Sequence, residues 1–518
     1  MPWLTVTLFL PLAGAVVVVL LVPGLADRLV RVIALGVTVA TFAVSLGILA
    51  NFDRSAGGYQ LVDQATWVKS LGLKYAVGVD GISLFLVLLS TFLFVIAVLA
   101  SFREVRSVRT LMATILALET FVVGTFLSLD LLLFFLFFEA TLFPGYLLIA
   151  GWGGERRAGA AIKFFIYTMA GSAFLFVAVL FVFFQAHTFD IRALQGSNAF
   201  GVGTARWLFL GFLVAFAVKA PLVPFHAWQP DAYTEAPTGG LLILAGVLPK
   251  MATYGMLRFN IGLFPEAAHH FRGLVAILAL VGIVYGAVVA IVQTDLKRLI
   301  AYSSISHVGF IVLGLFAFTQ QGMSGSVLYM VNHALSTGLL FVLVGMLYER
   351  TRTRDLGRMG GIAQVTPRMA TAFLVVGLAS MGLPGLNNFV SEFLVILGTF
   401  ASNQVWGSIA VAGVVLSAIY FLWAYQRAMH GPVRDDHVGT SDLSRMEYAV
   451  IVPVLVVIVL LGVYPKPVLD RVNPATCRTV VTAGLPRGFH GVISFAKQGC
   501  NGGSFISYRP VNRRTGGG

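Results

Sequence analysis

Cysteine is nearly absent from this 518-residue chain, with Cys477 and Cys500 its only two. Two thiolates cannot by themselves hold an iron–sulfur cluster, and no His/Cys group has zinc spacing. No glycine-rich phosphate loop or dinucleotide fingerprint follows a strand-like segment. Redox chemistry is therefore expected only in partner chains. Charge is also scarce, at 11% of residues, where an ordinary soluble domain has about a quarter. The net charge of +13 comes from basic residues scattered between apolar runs, not from the continuous basic surface that nucleic-acid binding needs.

What is abundant is hydrophobicity, with 58% apolar residues and a mean hydropathy of +0.89. Runs of about twenty apolar residues, enough to cross about 30 Å of hydrocarbon, recur along the chain. They predict about fourteen spans, over 2–23, 30–50, 80–100, 109–129, 131–150, 160–186, 206–225, 240–262, 272–293, 299–319, 324–348, 370–400, 405–428 and 447–464. The first run is too long, and lacks the flanks, for a removable signal peptide. The fold class expected is an all-α polytopic membrane protein.

Arginine and lysine orient the spans. Alternate loops carry Arg28 and Arg31, Arg103, Arg106 and Arg109, Arg156 and Arg157, Lys297 and Arg298, the Arg350–Arg368 cluster, and Arg427, Arg434 and Arg445. The opposite set is poorer, with Arg54, Lys69, Lys74, Arg192, Arg206, Arg258 and Arg272. The positive-inside rule then puts the N-terminus outside the cytoplasmic membrane.

Against this background, Glu139, Lys219, Lys250, His307, His333 and Glu392 fall near the middle of spans. A charge there costs about 2.5–3.5 kcal/mol on insertion scales, so such residues mark ion paths or proton relays. Two of the spans are punctuated. Lys219 precedes Pro221 and Pro224, and Gly382, Pro384 and Gly385 precede Glu392. Proline removes a backbone donor, and irregular backbone at membrane depth survives only against protein or a wet cavity. Counting spans four to eight and nine to thirteen puts a broken helix fourth in each set, which suggests two inverted five-helix repeats.

The segments VDGISLFLVLLSTF (79–92), LFFEATLFPGYLLIAGWGG (136–154), FAVKAPLVPFHAW (216–228), PKMATYGMLRF (249–259), TDLKRLIAYSSISHVGF (294–310), NHALSTGLLFVLVGMLYER (332–350) and NNFVSEF (387–393) resemble the antiporter-like subunits of proton-translocating NADH:quinone oxidoreductase, respiratory complex I, with subunit M the nearest branch. The resemblance covers about residues 1–470. It implies N-terminal helices over 1–106, antiporter-like repeats over 107–263 and 264–430 with discontinuous seventh and twelfth helices, and a C-terminal helix in 431–473. It also implies sister antiporter-like subunits and membrane lipids as partners, with NADH, FMN, iron–sulfur clusters and quinone bound by other subunits and no cofactor here.

By motif, the resemblance pairs Glu139 with Lys219, makes Lys250 the central relay lysine, sets His307 and His333 along the axis and makes Glu392 the terminal acid. The proton affinity of Lys219 would then depend on its distance from Glu139. A static ion pair is the competing reading of Glu139 and Lys219, and helix–helix hydrogen bonding that of the histidines. Asp130 reads as a surface residue, Asp295 as a helix cap, and loop 52–78 carries no readable pattern. Gln229 and Tyr233 depart from the usual leucine and histidine, so no proton role extends to Tyr233. A basic segment over 474–518 is expected to be disordered, and Cys477 and Cys500 to pair there. An Mrp-type multisubunit cation/proton antiporter is the alternative function, and a structural scaffold the third.

Overall fold

A computed structural model of the chain describes residues 2–20, 26–68, 72–197 and 199–483. Among them, thirteen helices are long and apolar enough to cross a membrane. In order they are Trp3–Leu20, Asp27–Ala50, Ser83–Ala100, Val108–Leu127, Leu131–Trp152, Arg157–Ala186, Val202–Lys219, Thr238–Ile261, Arg272–Ile291, Leu296–Leu315, Gln320–Thr351, Gln404–Met429 and Arg445–Val463. The span expected over 370–400 is two shorter helices, Pro367–Ser380 and Asn387–Ser402. Helix is the form that apolar runs must take, because lipid offers backbone N–H and C=O groups no partner. Phe174, Val177 and Phe184 leave an exposed apolar side on the sixth span, suited to lipid. The eighth and eleventh spans are instead enclosed along their hydrophobic stretches, and these two carry Lys250 and His333.

Two stretches of the chain share one pattern of hydrogen bonds. Asp130 starts the fifth span, accepting from the N–H groups of Leu132 and Leu133. Asp295 starts the tenth, accepting from that of Arg298, as N-cap carboxylates do. Asp130 bridges to Asp190, and Asp295 to Asp355, each partner sixty positions downstream (130 to 190, 295 to 355). The backbone bonds correspond as well. Leu131 N–H reaches Phe189 O and Ile191 N–H reaches Leu129 O, while Leu296 N–H reaches Arg354 O and Leu356 N–H reaches Thr294 O. Five spans, the fifth to the ninth, run from the first cap to the second, so the same device lies on opposite faces of the bundle.

Four local readings change. Asp130 is buried, because its carboxylate is consumed in the cap. Loop 52–78 forms an antiparallel hairpin, β1 (Gln60–Val68) and β2 (Leu73–Val79). Arg258, expected in a loop, lies on a π-helical turn of the eighth span and forms a buried ion pair with Asp80. The expected tail begins inside a helix, Lys466–Ala483, whose face of Val468, Val472, Ala475 and Thr476 is buried. That face is anchored where Gln320 Nε2 donates to Thr476 Oγ1 at 2.9 Å. Lys69, Cys500 and residues 484–518 lie outside the described residues.

Candidate functional site

Proline chemistry builds the site. In the seventh span Pro221 has no N–H, and Leu222 N–H shifts to Ala217 O at 2.9 Å. The displaced carbonyl of Val218 is taken by the Trp228 indole at 2.8 Å. The helix therefore stops at Lys219 with the carbonyls of Ala217 and Val218 both paired. In the broken span of Pro367–Ser380 and Asn387–Ser402, counted as the twelfth of fourteen, Leu383 N–H makes the matching long step to Leu378 O at 3.0 Å, before Pro384. Gly382 and Gly385 there take the left-handed φ values of +76° and +93° that favour glycine.

The eighth span uses the same device differently. Pro249 cannot donate to Ala245 O, its partner in an unbroken helix. The freed carbonyl instead accepts from Lys250 Nζ at 3.0 Å. Proline and lysine are thus adjacent for a physical reason: one opens a carbonyl and the next residue fills it.

Lys250 Nζ also lies 2.7 Å from His333 Nδ1. The His333 ring is 5.4 Å, centroid to centroid, from that of His307. His307 Nδ1 is 2.7 Å from the Tyr329 hydroxyl, and its Nε2 is 3.3 Å from the Tyr420 hydroxyl. Tyr329 donates to Glu392 Oε1, which is 3.7 Å from His307 Nδ1. Lys250, His333, His307, Tyr329 and Glu392 are all buried. They come from the eighth, tenth, eleventh and twelfth spans, so one compact cluster joins four separate stretches of the chain. Within it, His333 Nε2 hydrogen-bonds to no described protein atom.

The helix after the second break is held against the eleventh span by asparagines. Asn332 Nδ2 donates to Asn387 O at 2.7 Å and to Ser391 Oγ at 3.2 Å. Asn387 Nδ2 returns a bond to Asn332 O at 2.9 Å. Asn388 Nδ2 reaches Ser336 Oγ at 3.1 Å. This clamp sets Glu392 one turn above Asn388.

Lys219 and Glu139 stand apart from the cluster. Among the described residues no hydrogen bond or ion pair joins Lys219 to Glu139; Lys219 Nζ donates to Phe138 O at 2.7 Å and Thr141 Oγ1 at 2.9 Å. It also sits 3.7 Å from the centroid of the Phe138 ring. Glu139 follows Phe138 by one residue, a turn of about 100° round the helix. No hydrogen bond or ion pair among the described residues joins Lys219 to Lys250.

Tyr329, Tyr420 and the asparagine clamp escaped the sequence reading, as did Glu119. Tyr329 lies four residues before His333, a spacing that shares a helix face, so it was findable. Tyr420 is 113 positions from His307 and carried no such signal. Glu119 was findable by its mid-span charge; it is fully buried, and neither carboxylate oxygen has a hydrogen-bond partner among the described residues. Among the described residues no group of three His, Cys, Asp or Glu side chains is placed to hold a metal. The cluster's amine, imidazole, hydroxyl and carboxylate groups are suited instead to exchanging protons.

The family described as NADH:quinone oxidoreductase/Mrp antiporter, transmembrane, matches residues 128–419. NADH-quinone oxidoreductase subunit M of Mycobacterium tuberculosis is 42% identical over 524 aligned positions, covering 93% of this chain and 95% of the relative. A chain of respiratory complex I from Thermus thermophilus superposes with a TM-score of 0.85 at 32% identity, covering 93% of this chain and all of that one. A chain of the Mrp complex from a Dietzia species gives 0.84 at 20% identity, covering 96% and 99%, a likeness of fold alone. With identity of this extent and the two broken helices in place, the chain belongs to the subunit M family of NADH:quinone oxidoreductase.

Proposed function

We propose that the chain carries protons across the membrane as a membrane-arm subunit of NADH:quinone oxidoreductase, driven by quinone reduction in partner subunits. One observation carries this reading: a buried lysine, two histidines and a glutamate, drawn from four different spans, form a single cluster. Buried ionisable groups are costly in a membrane, and a cluster of exchangeable ones is what proton passage needs. Lys250 feeds His333 and His307, and Glu392 discharges the proton. Lys219 and Glu139 form the loading site of the first repeat, with Glu139 setting the proton affinity of Lys219 from a distance.

In this reading the membrane is the bacterial cytoplasmic membrane with the N-terminus outside, the apolar faces meet lipid, and sister antiporter-like subunits flank the chain. NADH, FMN, iron–sulfur clusters and quinone belong to the partners. The test is proton yield per electron pair from purified, assembled complex in proteoliposomes. Glu392→Gln is expected to lower it and Glu392→Asp to retain part. A wild-type yield from Glu392→Gln overturns the assignment. The likeness of fold to the Mrp complex supports a second reading as a subunit of a cation/proton antiporter, for which purification would bring down no iron–sulfur subunits.

A further inference from the structure

Between His307 and Glu392 the direct separation is 3.7 Å, too long for a hydrogen bond. The Tyr329 hydroxyl fills the gap, touching His307 Nδ1 at 2.7 Å on one side and donating to the Glu392 carboxylate on the other. The hydrogen-bond polarity follows from the chemistry. A carboxylate only accepts, so the tyrosine proton points at Glu392, and the tyrosine oxygen must accept from an Nδ1–H of His307. His307 is then the Nδ1–H tautomer. Tyr420, placed 3.3 Å from Nε2, favours that tautomer by donating to the free lone pair.

We propose that Tyr329 is a proton-carrying member of the path, passing protons from His307 to Glu392 while remaining a neutral hydroxyl. The proposal rests on the relay reading above. The proton originates on the Lys250 ammonium, which gives it to His333 Nδ1 as His333 releases its Nε2 proton toward His307. The Tyr420 hydroxyl turns off His307 Nε2, a new N–H bond forms there and the Nδ1–H bond breaks. That proton bonds to the Tyr329 oxygen, whose own O–H bond breaks in favour of Glu392 Oε1. The lysine ends as an amine and the carboxylate as a carboxylic acid. The tyrosine and both imidazoles end neutral, with the imidazole tautomers exchanged, and no electrons move. A second proton can follow only after His307 returns to the Nδ1–H tautomer and Glu392 has discharged. The tyrosine thus makes the last step sequential.

Three assembled variants test this in proteoliposomes: Tyr329→Phe, Glu392→Gln and the two together. The expected result is that Tyr329→Phe lowers proton yield as far as Glu392→Gln does, and that the double variant is no worse than either. A wild-type yield from Tyr329→Phe beside an impaired Glu392→Gln overturns the role of the tyrosine and leaves the relay standing. Wild-type yields from both overturn the relay itself. Should Tyr329→Phe fail to assemble, a ring-fluorinated tyrosine at position 329 keeps the shape and acidifies the hydroxyl. The pH profile of proton yield then shifts if the hydroxyl carries the proton. An unchanged profile means that Tyr329 only packs, and the proposal falls.

Discussion

At the scale of single residues, the site depends on where a side chain is missing as much as on where one is present. Gly382 has a left-handed backbone, and a Cβ there would stand 3.1 Å from Glu392 Cδ. Gly382→Ala is therefore expected to destabilise by about 1–2 kcal/mol from the backbone alone, and to displace the carboxylate as well. The measurement is the inactivation temperature and proton yield of the assembled complex, with Gly273→Ala as control. A Cβ at Gly273 meets nothing within 4 Å, so that variant should match wild type. The ionisable residues were legible because charge inside an apolar run is rare. Their partners were less so: Lys250 and Glu392 had no neighbour in the sequence to pair with, yet His333 and Tyr329 lie against them.

At the scale of elements, proline and asparagine share the work of breaking a helix without stranding its backbone. The breaks in the seventh and twelfth spans were readable, since Pro221, Pro224 and Pro384 act on their own chain segments. The clamp that positions the second break was not, because Asn332 and Asn387 belong to different spans. Asn332→Ala leaves the Asn387 carbonyl without this donor and the Ser391 hydroxyl without its incoming bond. A loss of about 1–3 kcal/mol is expected for buried groups left unpaired. It should appear as faster thermal inactivation of the assembled complex, together with reduced proton yield because Glu392 rides on the clamped helix. Unchanged inactivation would mean that the break is held elsewhere.

For the whole molecule, the start of the third span is tied to the eighth span by a buried charge pair. Asp80 caps the third span through Ile82 and Ser83 N–H, and also pairs with Arg258 on the eighth. Arg258 lies under the rings of Tyr59 and Tyr254 as well. Removing one member of a buried pair costs about 3–5 kcal/mol, whereas replacing both with apolar groups is often neutral. Arg258→Met is thus expected to lower the inactivation temperature of the complex clearly, and Asp80→Leu with Arg258→Met to recover part of it. Equal losses from the single and double variants would show that the pair contributes no more than its packing.

The sequence by itself determined that the chain is a bundle of membrane helices, where each span runs and which two are broken. Those outcomes are local: in lipid each segment must satisfy its own backbone, so apolar length and the placement of proline decide the result. Only the tertiary structure decided which charges meet. Lys250 finds a histidine 83 positions away, and His307 a tyrosine 113 positions away. Lys219 takes the Phe138 carbonyl instead of the Glu139 carboxylate. Such contacts depend on how helices cross and rotate against one another, and packing between distant segments sets that geometry.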